Sequence, residues 1–346
     1  MNHLFIRADA AVSMGTGHMM RCIALAQAWK KRGGEITFIS HCPNEVITKR
    51  LNSEGFNLVG IKKICPHHQD LETFLTFLHN HFLSIENQTS VTHHWIVLDG
   101  YHFTPDYQKS LMEKGFNLLV IDDYNHLDHY HTSILLNQNI GSDQYSYTCP
   151  DDTIKLLGTK YVMLRSEFLT AKQVNKSAAV NNILITLGGS DPDNITSIVL
   201  NALEKNADPT IKFKIILGPD NPNAADLKHT YKNSDANFEF IENADMPKMM
   251  AWADIALTAG GTTCWELCFM AVPFIIIIIA PNQHTLAYAL EQKKAAVCIG
   301  EKASLTPEKI ADTMSMILND QKKTSEIKNI ETRLVDGKGS KRIIRA

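Results

Sequence analysis

The stretch Ile255-Ala256-Leu257-Thr258-Ala259-Gly260-Gly261-Thr262-Thr263-Cys264-Trp265-Glu266-Leu267 decides the architecture. Its apolar start reads as a buried strand over Ile255–Thr258, its two glycines as a turn, and its hydroxyl and acidic residues as the opening of a helix near Thr263. The next apolar run, Val272 to Ala280, holds the successive isoleucines Ile275 to Ile279. It is far short of the ~20 residues that a membrane-spanning helix needs, so it reads as a second buried strand, and no membrane span is expected. Strand, glycine turn, helix, strand is the unit from which parallel α/β sheets are built.

Working outward, the same unit recurs along the chain. In the first half, Leu4–Ala8 is a strand, Ser13–Gly17 a glycine loop, and His18–Lys31 a helix. The helix repeats its apolar residues Met19, Cys22, Ile23, Ala26 and Trp29 at helical spacing and stops at Gly33-Gly34. Further strands are expected at Ile36–Ser40, Asn57–Ile61, Trp95–Asp99, Leu118–Asp122 and Leu135–Gln138. The polar, aperiodic segment Ala171-Lys172-Gln173-Val174-Asn175-Lys176-Ser177 reads as a linker, giving domains at 1–171 and 181–346. The second half offers strands at Ile183–Leu187, Phe213–Leu217, Phe238–Ile241, Ile255–Thr258, Phe274–Ile279 and Val297–Gly300. Helices are expected from near Asn194, Pro222, Met246, Thr263 and Thr285, and a last charged helical stretch over Thr324–Arg345 is free to pack back on the first domain.

Composition bounds the function. The chain has 346 residues with a net charge of −3, 44% hydrophobic and 21% charged residues, a globular balance. A pI of 6.6 lacks the basic excess of a nucleic-acid binder. The seven scattered cysteines read as reduced thiols, and Arg7 and Asp9 break the N-terminal apolar run before a signal peptide forms, so a cytoplasmic location is expected.

The loops after the strands carry the candidate chemistry. Asp9 to His18 places Gly15 and Gly17 ahead of a helix N-terminus, where backbone amides favour a phosphate or a developing oxyanion. A tight turn without a ligand accounts for the same glycines. As a dinucleotide fingerprint the loop fails: Gly15-Thr16-Gly17-His18-Met19-Met20 lacks the third glycine, and the second strand ends in Ser40-His41 rather than an acidic ribose ligand. No Gly-Lys-Ser/Thr phosphate loop is present either. His18 stands at the loop's mouth as a candidate general base, with a helix-capping role as the alternative. Leu187-Gly188-Gly189-Ser190-Asp191-Pro192 forms a second phosphate-type loop, while Asp191-Pro192-Asp193 reads as a helix cap and not a metal pair. Gly260 to Glu266 offers amides for a diphosphate, and Glu266 either accepts from two ribose hydroxyls or complements the helix dipole. Asn282-Gln283-His284, Asp99-Gly100-Tyr101-His102 and Asp122-Asp123 all end strands at the sheet edge where ligands bind, though turn capping explains them too. Histidine-rich pieces at His67-His68, His93-His94 and His126, His129 and His131 match no zinc motif, so neither metal nor cofactor is expected.

Taken in order, Arg7, Asp9, Gly15-Thr16-Gly17-His18, Arg21-Cys22, Leu187-Gly188-Gly189-Ser190-Asp191, Gly260 to Glu266 and Asn282-Gln283 resemble the UDP-2,4-diacetamido-2,4,6-trideoxy-β-L-altropyranose hydrolases of pseudaminic acid biosynthesis. That family is related to the GT-B glycosyltransferases. The resemblance implies a GT-B-like α/β fold, two Rossmann-like domains with parallel sheets facing across a cleft. It implies a small-molecule UDP-sugar as partner and metal-independent, inverting hydrolysis with His18 as the base. By the same resemblance Asp9, Gly15, Gly17 and Tyr101 lie about the sugar. Gly189, Ser190, Gly261, Thr262, Thr263, Glu266, Asn282 and Gln283 hold the nucleotide. Trp265 takes the position before the glutamate where some members carry asparagine. Two rival readings keep the same loops: a GT-B glycosyltransferase using a UDP-sugar, and a noncatalytic UDP-sugar-binding protein.

Overall fold

The computed structural model of the protein describes residues 2–10, 15–83, 94–171, 180–205 and 208–346. Lys172–Ser177 of the expected linker, Ser13 and Met14 of the first glycine loop, and His93 lie outside these. The chain divides into two units, Met1–Ser166 with Lys338–Ala346, and Glu167–Gly337.

The first unit is built on seven parallel strands: β1 (His3–Ala8), β2 (Glu35–Ser40), β3 (Asn57–Gly60), β4 (His94–Asp99), β5 (Asn117–Ile121), β6 (Ile134–Asn137) and β7 (Ile154–Leu157). Their order is β3-β2-β1-β4-β5-β6-β7. Both faces are covered, so successive residues of one strand enter opposite cores. Leu4, Ile6 and Ala8 of β1 pack with Val97, Leu119 and Ile121 against the helix Gly17–Lys30. Phe5 joins Ile96, Leu98, Leu118 and Val120 on the other side, with Phe74 and Leu111. Burial on both faces is why these strands read as continuous apolar runs. β7, absent from the expected set, is the sheet's edge: Ile154 and Lys155 are exposed and only Leu156 is buried, so no apolar run announces it.

The second unit repeats the plan with β8 (Asn182–Thr186), β9 (Lys212–Leu217), β10 (Asn237–Glu242), β11 (Ile255–Ala259), β12 (Phe274–Ile278) and β13 (Val297–Glu301), all parallel, in the order β10-β9-β8-β11-β12-β13. β12, the isoleucine strand, is buried along its whole length. Each sheet reverses direction beside its first strand, between β1 and β4 and between β8 and β11, and such switch points open crevices at the carboxyl ends of the strands.

The expected single helix over Thr324–Arg345 is instead two, Gln321–Leu334 in the second unit and Gly339–Ile343 in the first. The break has a local cause. Gly337 sits at φ +73°, a left-handed conformation, and a Cβ there would lie 2.7 Å from Phe269 Cε2. Gly339 approaches so closely that a Cβ would lie 2.0 Å from the Val162 carbonyl oxygen. The short helix is then tied down by Arg342 Nη1 donating to the Lys160 carbonyl at 2.7 Å, Arg32 Nη1 donating to the Ile344 carbonyl at 2.9 Å, and Ile343 buried in the core. Among the described residues no helix is long and apolar enough to cross a membrane.

Candidate active site

At the β1/β4 switch point of the first unit, His18 occupies the first turn of the helix Gly17–Lys30 and reaches the last residue of β4. Its Nδ1 lies 2.6 Å from Asp99 Oδ1. Asp99 is fully buried. Burial alone pushes its carboxyl up, but the Arg21 guanidinium and His18 more than offset that and hold it well below the usual carboxylate range. An ionised carboxylate only accepts, so the hydrogen sits on Nδ1 and the Nε2 lone pair is left for a ligand. Among the described residues Nε2 has no hydrogen-bond partner.

Arg21, one helical turn after His18, locks this arrangement. Its Nε and Nη2 donate to Asp99 at 2.7 and 2.6 Å, and its Nη1 and Nη2 donate to Asp123 at 2.7 and 2.9 Å. Tyr101 donates its hydroxyl to Asp123 Oδ2 at 2.8 Å and sets its ring edge-on to His18, with centroids 5.1 Å apart. Two carboxylates share one guanidinium, leaving one surplus negative charge beside the imidazole.

The same helix has an open start. Gly15 holds φ +72°, a left-handed turn that glycine adopts without strain. Thr16 precedes the helix without a side-chain cap, so among the described residues the amides of Gly17, His18 and Met19 have no acceptor. Asp9 does not share in this opening. It is fully buried, accepts two bonds from Arg7, and accepts from the His41 and Cys65 amides at 2.7 and 3.1 Å. Both Asp9 oxygens are thus engaged by the chain itself.

In the second unit the three expected loops differ. The helix Ile195–Glu204 is closed: the Asp191 carboxylate accepts from the Ile195 and Thr196 amides at 2.8 and 2.9 Å, and Asn194 caps nothing. Burial raises the Asp191 carboxyl, with those same bonds opposing. Gly189 and Ser190 therefore stand beside a helix end already occupied by the chain's own carboxylate. The helix Thr263–Met270 is open. The Gly261 amide turns back to the Ala259 carbonyl at 2.8 Å, while the Thr262 and Thr263 amides have no acceptor among the described residues. Glu266 lies in its first turn, and Trp265 is core, 2% exposed. Gln283 braces this turn, its Oε1 accepting from the Gly260 and Ile279 amides at 3.1 and 3.0 Å, which leaves its Nε2 to donate. Asn282 is exposed beside it.

Arg21, Asp99 and Asp123 were not expected as a unit. Arg21 entered only within a longer motif, and the aspartates had capping as an alternative. The signal available was Arg21 one turn after His18, with two strands ending in aspartate nearby. In the histidine-rich segments, His126 Nδ1 pairs with Asp122 at 2.8 Å, and among the described residues no cluster of three or more His, Cys, Asp or Glu is arranged to hold a metal ion.

Residues 182–342 match the Glycosyltransferase family 28 C-terminal domain. Acinetobacter baumannii MurG superposes with a TM-score of 0.67 at 13% identity, covering 100% of this chain and 99% of that one. The chain has the GT-B fold. Among curated proteins, an uncharacterised protein of Methanocaldococcus jannaschii is 28% identical over 78% of this chain. The spore coat polysaccharide biosynthesis protein SpsG of Bacillus subtilis is 24% identical over 99% of this chain and 96% of its own length. The pseudaminic acid cytidylyltransferase and UDP-2,4-diacetamido-2,4,6-trideoxy-beta-L-altropyranose hydrolase of Helicobacter pylori is 24% identical over 80% of this chain. The aligned part makes up 54% of the M. jannaschii protein and 44% of the H. pylori protein, so this GT-B chain spans about half their length.

Proposed function

We propose that the chain hydrolyses a UDP-sugar to UDP and the free sugar, by inverting attack of water at the anomeric carbon. The substrate we assign is the UDP-2,4-diacetamido-2,4,6-trideoxy-β-L-altropyranose named for the H. pylori relative. The observation that carries the reading is the His18–Asp99 pair, which fixes the tautomer and leaves Nε2 as a proton acceptor at a sheet switch point. A water on Nε2 gives up a proton as its oxygen bonds to the anomeric carbon. The bond from that carbon to the diphosphate oxygen breaks, and UDP departs with the electron pair. The imidazolium is then stabilised by Asp99, which stays ionised, as the buried carboxylate partner of a catalytic histidine does in general.

In the second unit, the open Thr262 and Thr263 amides supply donors for the diphosphate, and Glu266 accepts from the ribose hydroxyls. Gly261 and Gln283 hold that turn in shape, and Asn282 and the Gly189-Ser190 loop line the same sheet edge. No step needs a metal.

Phosphorus NMR of chelator-treated protein with the UDP-sugar and no acceptor tests the reading. Release of UDP that is lost in His18→Ala, with UDP binding retained, is the expected result. An intact substrate that nonetheless binds would replace hydrolysis by transfer to an acceptor, or by binding alone.

A further inference from the structure

A second histidine–aspartate pair stands next to the first and is unused by the reaction above. Asp122 follows β5, the neighbour of β4, and is fully buried. It accepts from His126 Nδ1 and the Tyr130 hydroxyl on one oxygen, both at 2.8 Å. On the other it accepts from the Asn125 amide at 2.7 Å, the Tyr147 hydroxyl at 2.7 Å and Asn137 Nδ2 at 3.3 Å. Burial opposes ionisation, but these donors hold the carboxyl at about 2. Asp122 is thus an acceptor only, the hydrogen of His126 is on Nδ1, and Nε2 is a bare acceptor. Among the described residues that Nε2 is buried without any donor. A buried acceptor left without a donor is costly, and in a native protein it calls for an explanation.

The surroundings of His126 suggest one. Its ring lies edge-on to Tyr101, with centroids 5.5 Å apart, and tilted against Tyr124 at 5.3 Å. Tyr101 also meets the His18 ring edge-on at 5.1 Å, so one tyrosine touches both pairs. Tyr124 is 38% exposed, an aromatic ring held at the surface with no core to fill. An acceptor nitrogen on a ring packed against two tyrosines suits a group that carries both an N–H donor and an apolar carbon. A hydroxyl supplies the donor alone.

We propose that His126, with Tyr124 and Tyr101, forms a specificity subsite that receives an acylamino substituent of the sugar, its N–H donating to Nε2 and its methyl lying on the tyrosine rings. The proposal rests on the nucleotide-sugar reading of His18 but assigns His126 no part in the proton transfer.

The test compares the UDP-linked diacetamido sugar with analogues bearing a hydroxyl in place of either acetamido group. Wild type should bind and turn over the diacetamido compound about 10-fold better than one of the analogues, the value of one good buried hydrogen bond. His126→Ala and His126→Phe should reduce that preference below about 2-fold with affinity for UDP unchanged. His126→Gln, which retains an acceptor near the Nε2 position, should restore part of it. Tyr124→Ala, at an exposed site, should also weaken the preference and serves if the His126 variants fail to fold. Full preference retained in folded His126→Ala, or no preference in wild type, overturns the subsite. If wild type hydrolyses none of these compounds, the hydrolase reading fails, and equilibrium binding of the same pairs still decides the role of His126.

Discussion

His18 was legible as a candidate base because a histidine at the mouth of a glycine loop is a local pattern. Its partner was not, because Asp99 is 81 residues away and comes beside it only when β4 docks next to β1. That dependence gives a prediction. Asp99→Asn preserves shape but offers an amide that can face Nδ1 as a donor, moving the ring hydrogen to Nε2 and removing the base. Turnover should fall about 10²- to 10⁴-fold with KM nearly unchanged, measured by steady-state UDP release. A variant that keeps kcat would show that the pair does not set the tautomer. Asp9 is the opposite lesson. An acid at a strand end is legible from the residues alone, and only the four bonds from Arg7, His41 and Cys65 reveal that its oxygens are already used. At Asp122 the same saturation has a pH signature. Its folded pKa is depressed from 3.8 to about 2, so its contribution is present above pH ~4 and is lost as pH falls through about 2. Denaturant titrations should show wild type losing about 2 kcal/mol more than Asp122→Asn over that window, at about 1.4 kcal/mol per pH unit. Parallel curves would remove Asp122 from the acid response.

Elements buried on both faces were readable, since a strand such as Phe274–Ile278 has no solvent face to interrupt its apolar run. Two elements were not, each for a physical reason. β7 is an edge with one wet side, and its Lys155 breaks the run. The C-terminal stretch keeps helical composition across Val335–Lys338, and the break there comes from Gly337 in a left-handed turn. The close approach of Gly339 to Val162 is one of the contacts that hold the last helix in the first unit. A Cβ on Gly339 would meet the Val162 carbonyl oxygen at 2.0 Å, a collision with backbone that no rotamer relieves. Gly339→Ala should therefore destabilise the first unit by about 1–3 kcal/mol, the cost of overpacking a close contact. Calorimetry should show a lowered transition, and hydrogen exchange should accelerate in the helix Gly17–Lys30 that Ile343 packs against. Unchanged stability would mean that the terminal helix is not held by this approach.

At the scale of the whole chain, each half carries its own sheet with its own switch point, and the candidate site residues divide accordingly. The imidazole, its carboxylates and the tyrosines belong to the unit of β1–β7. The helix start with open amides at Thr262 and Thr263, and the Glu266 carboxylate, belong to the unit of β8–β13, the part matching the Glycosyltransferase family 28 C-terminal domain. If UDP is held by the second unit, its binding energy must appear there first. At a UDP concentration 100 times Kd, linkage adds about 2.7 kcal/mol to whichever unit must unfold to release it. Exchange of amide hydrogens should slow in β11, in the turn at Gly260–Thr262 and in the helix Thr263–Met270. The amides of β4 and β5 should keep their ligand-free rates. Glu266→Gln should reduce the protection by weakening the ribose contact, while His18→Ala should leave it intact. Protection confined to β1, β4 and the helix Gly17–Lys30 would place the nucleotide on the imidazole-bearing unit and reverse the assignment of the two halves.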